Sequence, residues 1–210
     1  MKVKTLENLD DALDKHLAWR KKEMLSLKVL IDKENENSET LIRAGLALLC
    51  AHFEGFIKDA SNDYLEYISS QDIIYKDLRD VFSVMKLHSL ISNCAKSSKY
   101  SVQVKVLEKY NKLLSETFRN NVSVVDTHSN PSTETLKELL LSLGIETDIF
   151  KTKANYIDKR LLANRHKIVH GEKVELDYDD FKDTLKIILG LLDNYKDVLV
   201  DAATKQTYRK

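Results

Sequence analysis

The feature that most constrains this chain is its scarcity of residues that interrupt helices. Its 210 residues include only five glycines and one proline, whereas average usage is about 7% and 5%. Folds built from many short strands need frequent glycine- and proline-containing turns, so this composition disfavours a β-sandwich or a β-barrel. Apolar residues make up 43% of the chain, which is enough for a hydrophobic core. The composition therefore predicts an all-α domain.

Apolar residues recur at helical spacing along most of the chain. The clearest pattern begins near Ser38, which can cap a helix, and advances by three or four residues at every step. Its members are Ile42, Leu46, Leu49, Phe53, Phe56, Ala60, Tyr64 and Tyr67. Shorter patterns predict helices over about 5–33, 78–95, 102–119 and 153–170, the last of which meets Gly171, a left-handed terminator. Asn130 followed by Pro131 predicts a cap at Asn130 for a short helix that stops at Gly144. The final helix is predicted to begin near Asp177, with one apolar stripe formed by Phe181, Leu185, Ile188, Leu192, Tyr195 and Leu199.

These patterns predict a single all-α domain over residues 1–210, a helical bundle of about six or seven helices. We expect an N-terminal helix and linker over 1–37, a core bundle over 38–204 and a tail over 205–210. Residues 120–130 contain several residues that disfavour a helix and a short β-branched stretch, so we predict a loop there.

Charge and cysteine content limit the possible partners and compartments. Lys plus Arg and Asp plus Glu each number 33, so any anion-binding site must be local rather than a whole-surface field. Cys50 and Cys94 lack disulfide-like spacing, and we interpret both as reduced, buried thiols. The N-terminal stretch carries acids where a signal peptide needs apolar residues, and the longest apolar runs, 46–51 and 187–192, are short for a membrane span. We therefore expect a cytoplasmic protein that does not contact a membrane.

Fixed positive charge is concentrated between residues 151 and 170. The six cations are Lys151, Lys153, Lys159, Arg160, Arg165 and Lys167, against the single acid Asp158, which leaves an excess of five positive charges. Cations near a helix C-terminus interact favourably with the helix dipole, by about 0.3–1 kcal/mol each, which accounts for Lys167. That explanation does less for Arg165, His166 and His170 together, because they place fixed and titratable donors at one helix end.

The spacing of these residues limits what they can do together. His166 and His170 are four residues apart and share a helical face, whereas Arg165 and His170 are five apart, about 140° around an ideal helix. Arg165 and His170 can border one cleft if the helix unwinds at Gly171 or if a twofold partner presents a second copy. A guanidinium group suits a phosphate, and an imidazole can move a proton. Together they suit attack on a phosphodiester by an adjacent hydroxyl.

The segment Arg165-His166-Lys167-Ile168-Val169-His170, followed by Gly171, resembles the signature of the HEPN superfamily (higher eukaryotes and prokaryotes nucleotide-binding domain). That signature is an arginine, a polar residue, three further residues and a histidine. The stretches 51–58 (AHFEGFIK) and 157–162 (IDKRLL) are similar to those of a bacterial HEPN branch associated with toxin and phage-defence loci. The resemblance spans roughly residues 40–200. Asparagine often follows the arginine in that branch, whereas this chain has His166 there and Asn164 before the arginine.

The resemblance implies a metal-independent endoribonuclease, with no cofactor, in which two motif helices of a homodimer line one RNA cleft. Arg165 would hold the scissile phosphate, and His170 would act as general acid or base. The ribose 2′-hydroxyl would be the nucleophile, which leaves a cyclic phosphate and a 5′-hydroxyl. The resemblance also implies a toxin or phage-defence effector, with a cognate antitoxin or a defence-system partner.

Four further residues are candidates for binding or orienting the substrate: His166, Glu54, Asn164 and Lys167. Through the resemblance, Glu54 would reach the motif helix and orient Arg165. The alternative for Glu54 is an ordinary ion pair with Lys58, four residues later on the same helix.

Two other functions compete with the ribonuclease. One is a non-catalytic HEPN-type helical module that binds a nucleotide or a partner protein. The other is a metal-dependent hydrolase in which His166 and His170 bind zinc from one helical face, although zinc would need further ligands. Arg165 and His170 can also be ordinary cations at a helix end beside Gly171.

Overall fold

The computed structural model describes residues 3–33, 38–120 and 131–210. Within these ranges the chain forms α-helices and no β-strand, so the prediction of an all-α fold is confirmed. The seven α-helices are α1 (Leu6–Lys33), α2 (Ser38–Ser69), α3 (Asp80–Ala95), α4 (Tyr100–Leu113), α5 (Thr133–Ser142), α6 (Asn164–Val169) and α7 (Tyr178–Lys205). A π-helical segment, Asn155–Ala163, leads directly into α6, and two 3₁₀ turns cover Tyr75–Asp77 and Lys151–Lys153.

The core is formed around α2, which packs against both α1 and α7. Every member of the apolar stripe predicted on α2, from Ile42 to Tyr67, is buried. The facing side of α7 is buried over the stripe that the sequence also predicts, from Phe181 to Leu199. These three helices are the longest in the described chain, and each buries one apolar face against the other two, as an amphipathic helix must in water.

The first helix and the last residues are parts of this core. α1 buries Leu9, Leu13 and Met24 in the same cluster as α2, so this helix is part of the core. Residues 205–210, which we expected to be a tail, fold back because Gln206 ends α7 in the left-handed conformation (φ 53°). Tyr208 is buried, and its carbonyl accepts a hydrogen bond from the Arg79 N–H at 2.9 Å. An isolated tyrosine among polar residues gives no periodic signal, so the sequence did not reveal this packing.

The length and composition of α2 would allow it to cross a membrane. An 18-residue window in it has a mean hydropathy of 1.4, and half of that window is buried inside the bundle. The uninterrupted apolar run in α2, 46–51, is much shorter than the stretch over which the mean hydropathy of this helix is high. Core helices of water-soluble proteins have the same property, so the absence of membrane contact stays a prediction.

Two helix boundaries differ from the sequence-based expectation. α4 ends at Leu113 rather than near residue 119, because the following residues pair with the chain before α3: the Phe118 N–H donates to the Ile73 carbonyl at 2.8 Å. α5 is capped by Ser132, whose hydroxyl accepts from the Thr135 N–H, so the prediction of an Asn130 cap was wrong. Asn130 itself, and the predicted loop 120–130 apart from Asn120, lie outside the described residues.

A buried hydroxyl pair joins α2 to α7. The Ser61 hydroxyl donates to the Ile57 carbonyl at 2.6 Å, and its oxygen lies 2.6 Å from the Tyr195 hydroxyl. Since the single proton of Ser61 is used on Ile57, Tyr195 donates to Ser61. Both side chains are 0% exposed, so neither hydroxyl has water as an alternative partner.

We predict that Ser61→Ala destabilises the fold more than Tyr195→Phe does. Ser61→Ala leaves a buried tyrosine hydroxyl without an acceptor, which costs about 1–3 kcal/mol, whereas Tyr195→Phe removes that donor and leaves Ser61 bonded to Ile57, which costs about 0.5–1.5 kcal/mol. Urea unfolding of the two variants and the wild type measures the free energies. Equal losses, or a larger loss for Tyr195→Phe, would contradict the assigned donor direction.

Candidate functional site

The segment that carries the sequence motif is helical throughout but not regular. We call residues 155–170 the motif helix; Asn155–Ala163 is π-helical, α6 follows, and His170 is the C-terminal cap. π-helical turns are rare and often occur at functional sites. At the junction, the Asn164 side-chain amide donates to the Arg160 carbonyl at 2.9 Å. Asn164 therefore has a structural contact within its own helix, and its substrate role stays a prediction.

The motif helix ends in a Schellman motif at Gly171, as the sequence predicts. Gly171 has a φ of +77°, its N–H donates to the Ile168 carbonyl at 3.1 Å, and the Glu172 N–H donates to the Lys167 carbonyl at 2.9 Å. The Glu172 carbonyl in turn accepts from the Arg43 guanidinium on α2 at 3.0 Å. His170 is thus held as the last residue before the left-handed glycine.

His166 and His170 lie side by side on the exposed face of the motif helix. Their ring centroids are 4.3 Å apart, and both side chains are exposed. No group of three or more His, Cys, Asp or Glu side chains converges as a metal site anywhere in the described ranges. A zinc ion bound by the two imidazoles would need its other ligands from outside this set.

Arg165 is partly buried, and its charge acts on Cys50 of α2. Burial raises the pKa of the Cys50 thiol to about 11, while the Arg165 cation lowers this pKa and the Glu54 anion raises it. Both charges therefore lie near the Cys50 sulfur. Cys50 is a free, buried thiol as predicted, whereas Cys94 is only partly buried. Cys50 and Glu54 are one helical turn apart and share a face, but nothing in the sequence relates Cys50 to Arg165.

Glu54 is 15% exposed and forms the ion pair with Lys58 that the sequence suggests, at 2.8 Å. The Glu54 anion and the Arg165 cation both act on the pKa of the Cys50 thiol, in opposite directions. The ion pair and an orienting effect on Arg165 are therefore compatible in this geometry. The orienting role stays a prediction.

Most of the positive charge of the segment is uncompensated. Arg160 pairs with Asp180 at 3.1 Å and lies over the Tyr156 ring at 5.1 Å. By contrast, no described acid forms an ion pair with any of the four lysines, Lys151, Lys153, Lys159 and Lys167. Lys167, one of the predicted substrate-binding residues, is exposed. The motif helix therefore presents a positive surface suited to an anion.

A groove of about 610 Å³ lies beside the C-terminal end of the motif helix, between the start of α2 and the segment that leads into α7. Its charged lining residues are Glu39, Glu175, Asp177, Asp180 and Lys173. Four acids and one lysine repel a polyanion. A phosphate backbone would therefore approach the motif helix from the lysine side and not through this groove.

A family model described as RiboL-PSP-HEPN matches residues 15–201, which include most of α1, all of α2, the motif helix and most of α7. No curated protein matches the chain, and no solved structure does.

The end of the motif helix can be tested by two glycine substitutions of opposite expected sign. A Cβ at Gly171 or at Gly190 would meet no atom within 4 Å, but only Gly171 has a positive φ. We predict that Gly171→Ala destabilises the fold by about 1–2 kcal/mol, because an L side chain is disfavoured in the left-handed region. Gly190→Ala, inside α7, should stabilise it by about 1 kcal/mol.

Thermal and urea unfolding of both variants measure these changes. Shifts of the same sign for Gly171→Ala and Gly190→Ala would contradict the left-handed stop at Gly171.

Proposed function

Because the chain belongs to the RiboL-PSP-HEPN family, we propose that it is a metal-independent endoribonuclease. A HEPN domain by itself indicates a function related to nucleotides or RNA. The observation that carries the finer proposal is the motif helix, which combines Arg165, His170 and a set of lysines that no described acid neutralises. A phosphodiester backbone is the ligand that such a surface fits.

The proposed reaction uses the ribose 2′-hydroxyl as nucleophile. An imidazole takes the 2′-hydroxyl proton while the 2′-oxygen forms a bond to the adjacent phosphorus, and the bond between phosphorus and the 5′-oxygen breaks. The 5′-oxygen leaves with a proton from a general acid. The products are a 2′,3′-cyclic phosphate and a 5′-hydroxyl, and no water, metal or cofactor takes part in this step.

His170 is the general acid or base in this proposal, and Arg165 stabilises the extra negative charge on the phosphate in the transition state. Preorganised cationic donors of this kind act most strongly where charge develops. His166, with its ring 4.3 Å from that of His170, lies where a second imidazole can contact the same phosphate or ribose. Lys167 and Asn164 complete the set of proposed substrate contacts, and Glu54 orients Arg165.

A homodimer completes the site in this proposal. Within one protomer, Arg165 lies towards α2 and His170 is exposed, about 140° away around the helix. A twofold axis close to the motif helix brings the arginine of one chain near the histidines of the other, since each contact in such an interface occurs twice. The two copies then line one RNA cleft.

We place this activity in the cytoplasm, as a toxin or phage-defence effector that does not contact a membrane. An enzyme that cuts RNA without a metal trigger is harmful to its own cell, so an antitoxin or a defence-system partner is expected to restrain it. This part of the proposal rests on the similarity of residues 51–58 and 157–162 to the toxin and defence branch.

A non-catalytic helical module that binds a nucleotide or a partner protein is the second candidate. The different exposure of the two groups favours it, because Arg165 is partly buried whereas His170 is exposed. In that case Arg165→Ala and His170→Ala would leave every activity and any toxicity unchanged.

We predict that the purified, inhibitor-free protein cleaves RNA in excess EDTA and leaves DNA of the same sequence intact, since DNA lacks the 2′-hydroxyl. His170→Ala should lower kcat/KM by about 10²- to 10⁴-fold, the usual contribution of a positioned proton-transfer group. Arg165→Ala should also reduce it strongly. Gel assays with end-labelled RNA give the rates, and circular dichroism confirms that the variants are folded.

The matched control for the loss of a cation is Arg119→Ala. Arg119 is an exposed arginine that pairs with Asp72 at 2.6 Å, away from the motif helix. The Arg119→Ala protein should cleave RNA at the wild-type rate. Intact RNA after incubation with folded wild-type protein, or equal activity of wild type and His170→Ala, would contradict the ribonuclease proposal.

The shared site makes a separate prediction for mixtures of two inactive variants. If each site takes Arg165 from one chain and His170 from the other, a dimer of Arg165→Ala and His170→Ala chains has one intact site. Refolding an equal mixture should then restore about a quarter of wild-type activity, because half of the dimers are mixed and each has one working site. Mixed dimers without restored activity would show that each site uses one chain.

A further inference from the structure

The helical hairpin formed by α3 and α4 projects from the core. α3 buries only Phe82 and Ser83, at its start, and α4 buries only Leu113, at its end. No residue in the range 84–112 is buried. α4 packs mainly on α3, and at about 1.5 Å per residue its 14 residues extend about 21 Å. We call residues 84–112 the basic hairpin.

The basic hairpin carries a second concentration of positive charge in a chain whose net charge is zero. Its six lysines are Lys86, Lys96, Lys99, Lys105, Lys109 and Lys112, and its single acid is Glu108. All six are exposed, and none forms an ion pair with an acid in the described part of the chain. Like charges three or four residues apart on a helix repel one another, and this repulsion raises the free energy of the folded hairpin. A bound polyanion would remove that repulsion.

Three of these lysines form a continuous stripe. Lys105, Lys109 and Lys112 follow one another by four and three residues, so they share one face along the length of α4. A nucleic-acid backbone presents a row of negative charges that such a stripe can follow. Phosphate contacts of this kind fix position without reading sequence.

The tip of the basic hairpin adds an exposed aromatic ring. Tyr100 is 84% exposed, and Lys96 and Lys99 lie within four residues of it. An open aromatic ring next to cations is the combination that binds single-stranded RNA, because a base stacks on the ring while the lysines contact the backbone. Among the described residues, a tyrosine ring this exposed has no packing role.

The arrangement fits RNA better than a membrane surface. Tyr100, Val104 and Leu107 form an exposed apolar stripe on α4, with Leu107 62% exposed. This stripe lies roughly 140° around the helix from the lysine stripe. A helix that lies on an anionic membrane needs its cations beside its apolar face. A flat membrane that the apolar stripe entered could not also contact these lysines, whereas a flexible single strand can pass from the Tyr100 ring around the hairpin to the lysine stripe.

We infer that the basic hairpin is an RNA-binding arm, separate from the motif helix, which holds the single-stranded substrate through Lys105, Lys109, Lys112 and Tyr100. This inference rests on the proposed function, because it names a second contact with the same substrate class. The arm raises affinity for RNA and takes no part in the chemical step.

The test uses the full-length chain with His170→Ala, so that RNA stays intact during the measurement. Fluorescence anisotropy with a short labelled single-stranded RNA gives the affinity at several salt concentrations. Replacing Lys105, Lys109 and Lys112 by Ala should weaken binding up to about 100-fold at 0.1 M salt and reduce the slope of log K against log salt by about 2. A matched variant replaces Lys4, Lys22 and Lys137, which are also exposed and form no ion pair with a described acid, and should keep the wild-type slope.

Tyr100 has its own control. Tyr100→Ala should weaken RNA binding by about 5- to 150-fold, the equivalent of one lost base stack, with an unchanged salt slope because no charge is removed. Tyr100→Phe keeps the ring and should bind like the parent chain. Circular dichroism checks that the hairpin of each variant is folded.

Equal affinity and equal slope for the two lysine variants would overturn the inference. Loss of binding to phosphatidylserine vesicles in the Lys105/Lys109/Lys112 variant, with RNA binding unchanged, would also overturn it and assign the arm to a membrane. The outcome is independent of catalysis. If wild type cleaves no RNA but the hairpin variants lose RNA affinity, the enzymatic proposal fails and the RNA-binding arm is supported. If wild type cleaves RNA and the hairpin variants bind it normally, the enzymatic proposal is supported and the RNA-binding arm fails.

Discussion

The packing of α2 between α1 and α7 is the interaction on which the rest of the structure depends. Besides forming the core, α2 holds the segment around the motif helix at two points. Before the start of the motif helix, Phe150 packs on the core: the Phe53 ring of α2 lies edge-on to it, with centroids 6.3 Å apart, and Phe150 also contacts Tyr195 of α7. Beyond the end of the motif helix, the Arg43 guanidinium of α2 donates a hydrogen bond to the Glu172 carbonyl. The motif helix is therefore fixed on a rigid core rather than carried by a mobile loop, which favours accurate placement of reacting groups.

This anchoring gives the motif helix two different faces. One side turns Arg165 towards α2, where a buried thiol lies within reach of its charge, and the other presents His166 and His170 to solvent. In the proposed function a second copy of the chain completes the site, and the basic hairpin would add affinity at a distance from the reaction.

The sequence predicted those features that local physical chemistry determines. The α2 stripe follows from hydrophobic periodicity, and the stop at Gly171 follows from the conformational freedom of glycine. The π-helical segment, the end of α4 at Leu113 and the burial of Tyr208 were not predicted, because each depends on partners distant in the sequence. The lysines of the basic hairpin can be counted in the sequence, but only the fold shows that nothing in the described chain packs over them. The influence of Arg165 on Cys50 likewise comes from the tertiary structure and could not be predicted from the sequence.

The chemistry of the RNA ends tests the central claim most directly. Fragments produced by the wild-type protein in excess EDTA can be analysed by mass spectrometry, which separates a 2′,3′-cyclic phosphate from an open phosphate or a hydroxyl. Attack by the 2′-hydroxyl predicts cyclic phosphate on the upstream fragment and a 5′-hydroxyl on the downstream one. Fragments that carry a 3′-hydroxyl and a 5′-phosphate, or cleavage that appears only when a divalent metal is added, would contradict the account.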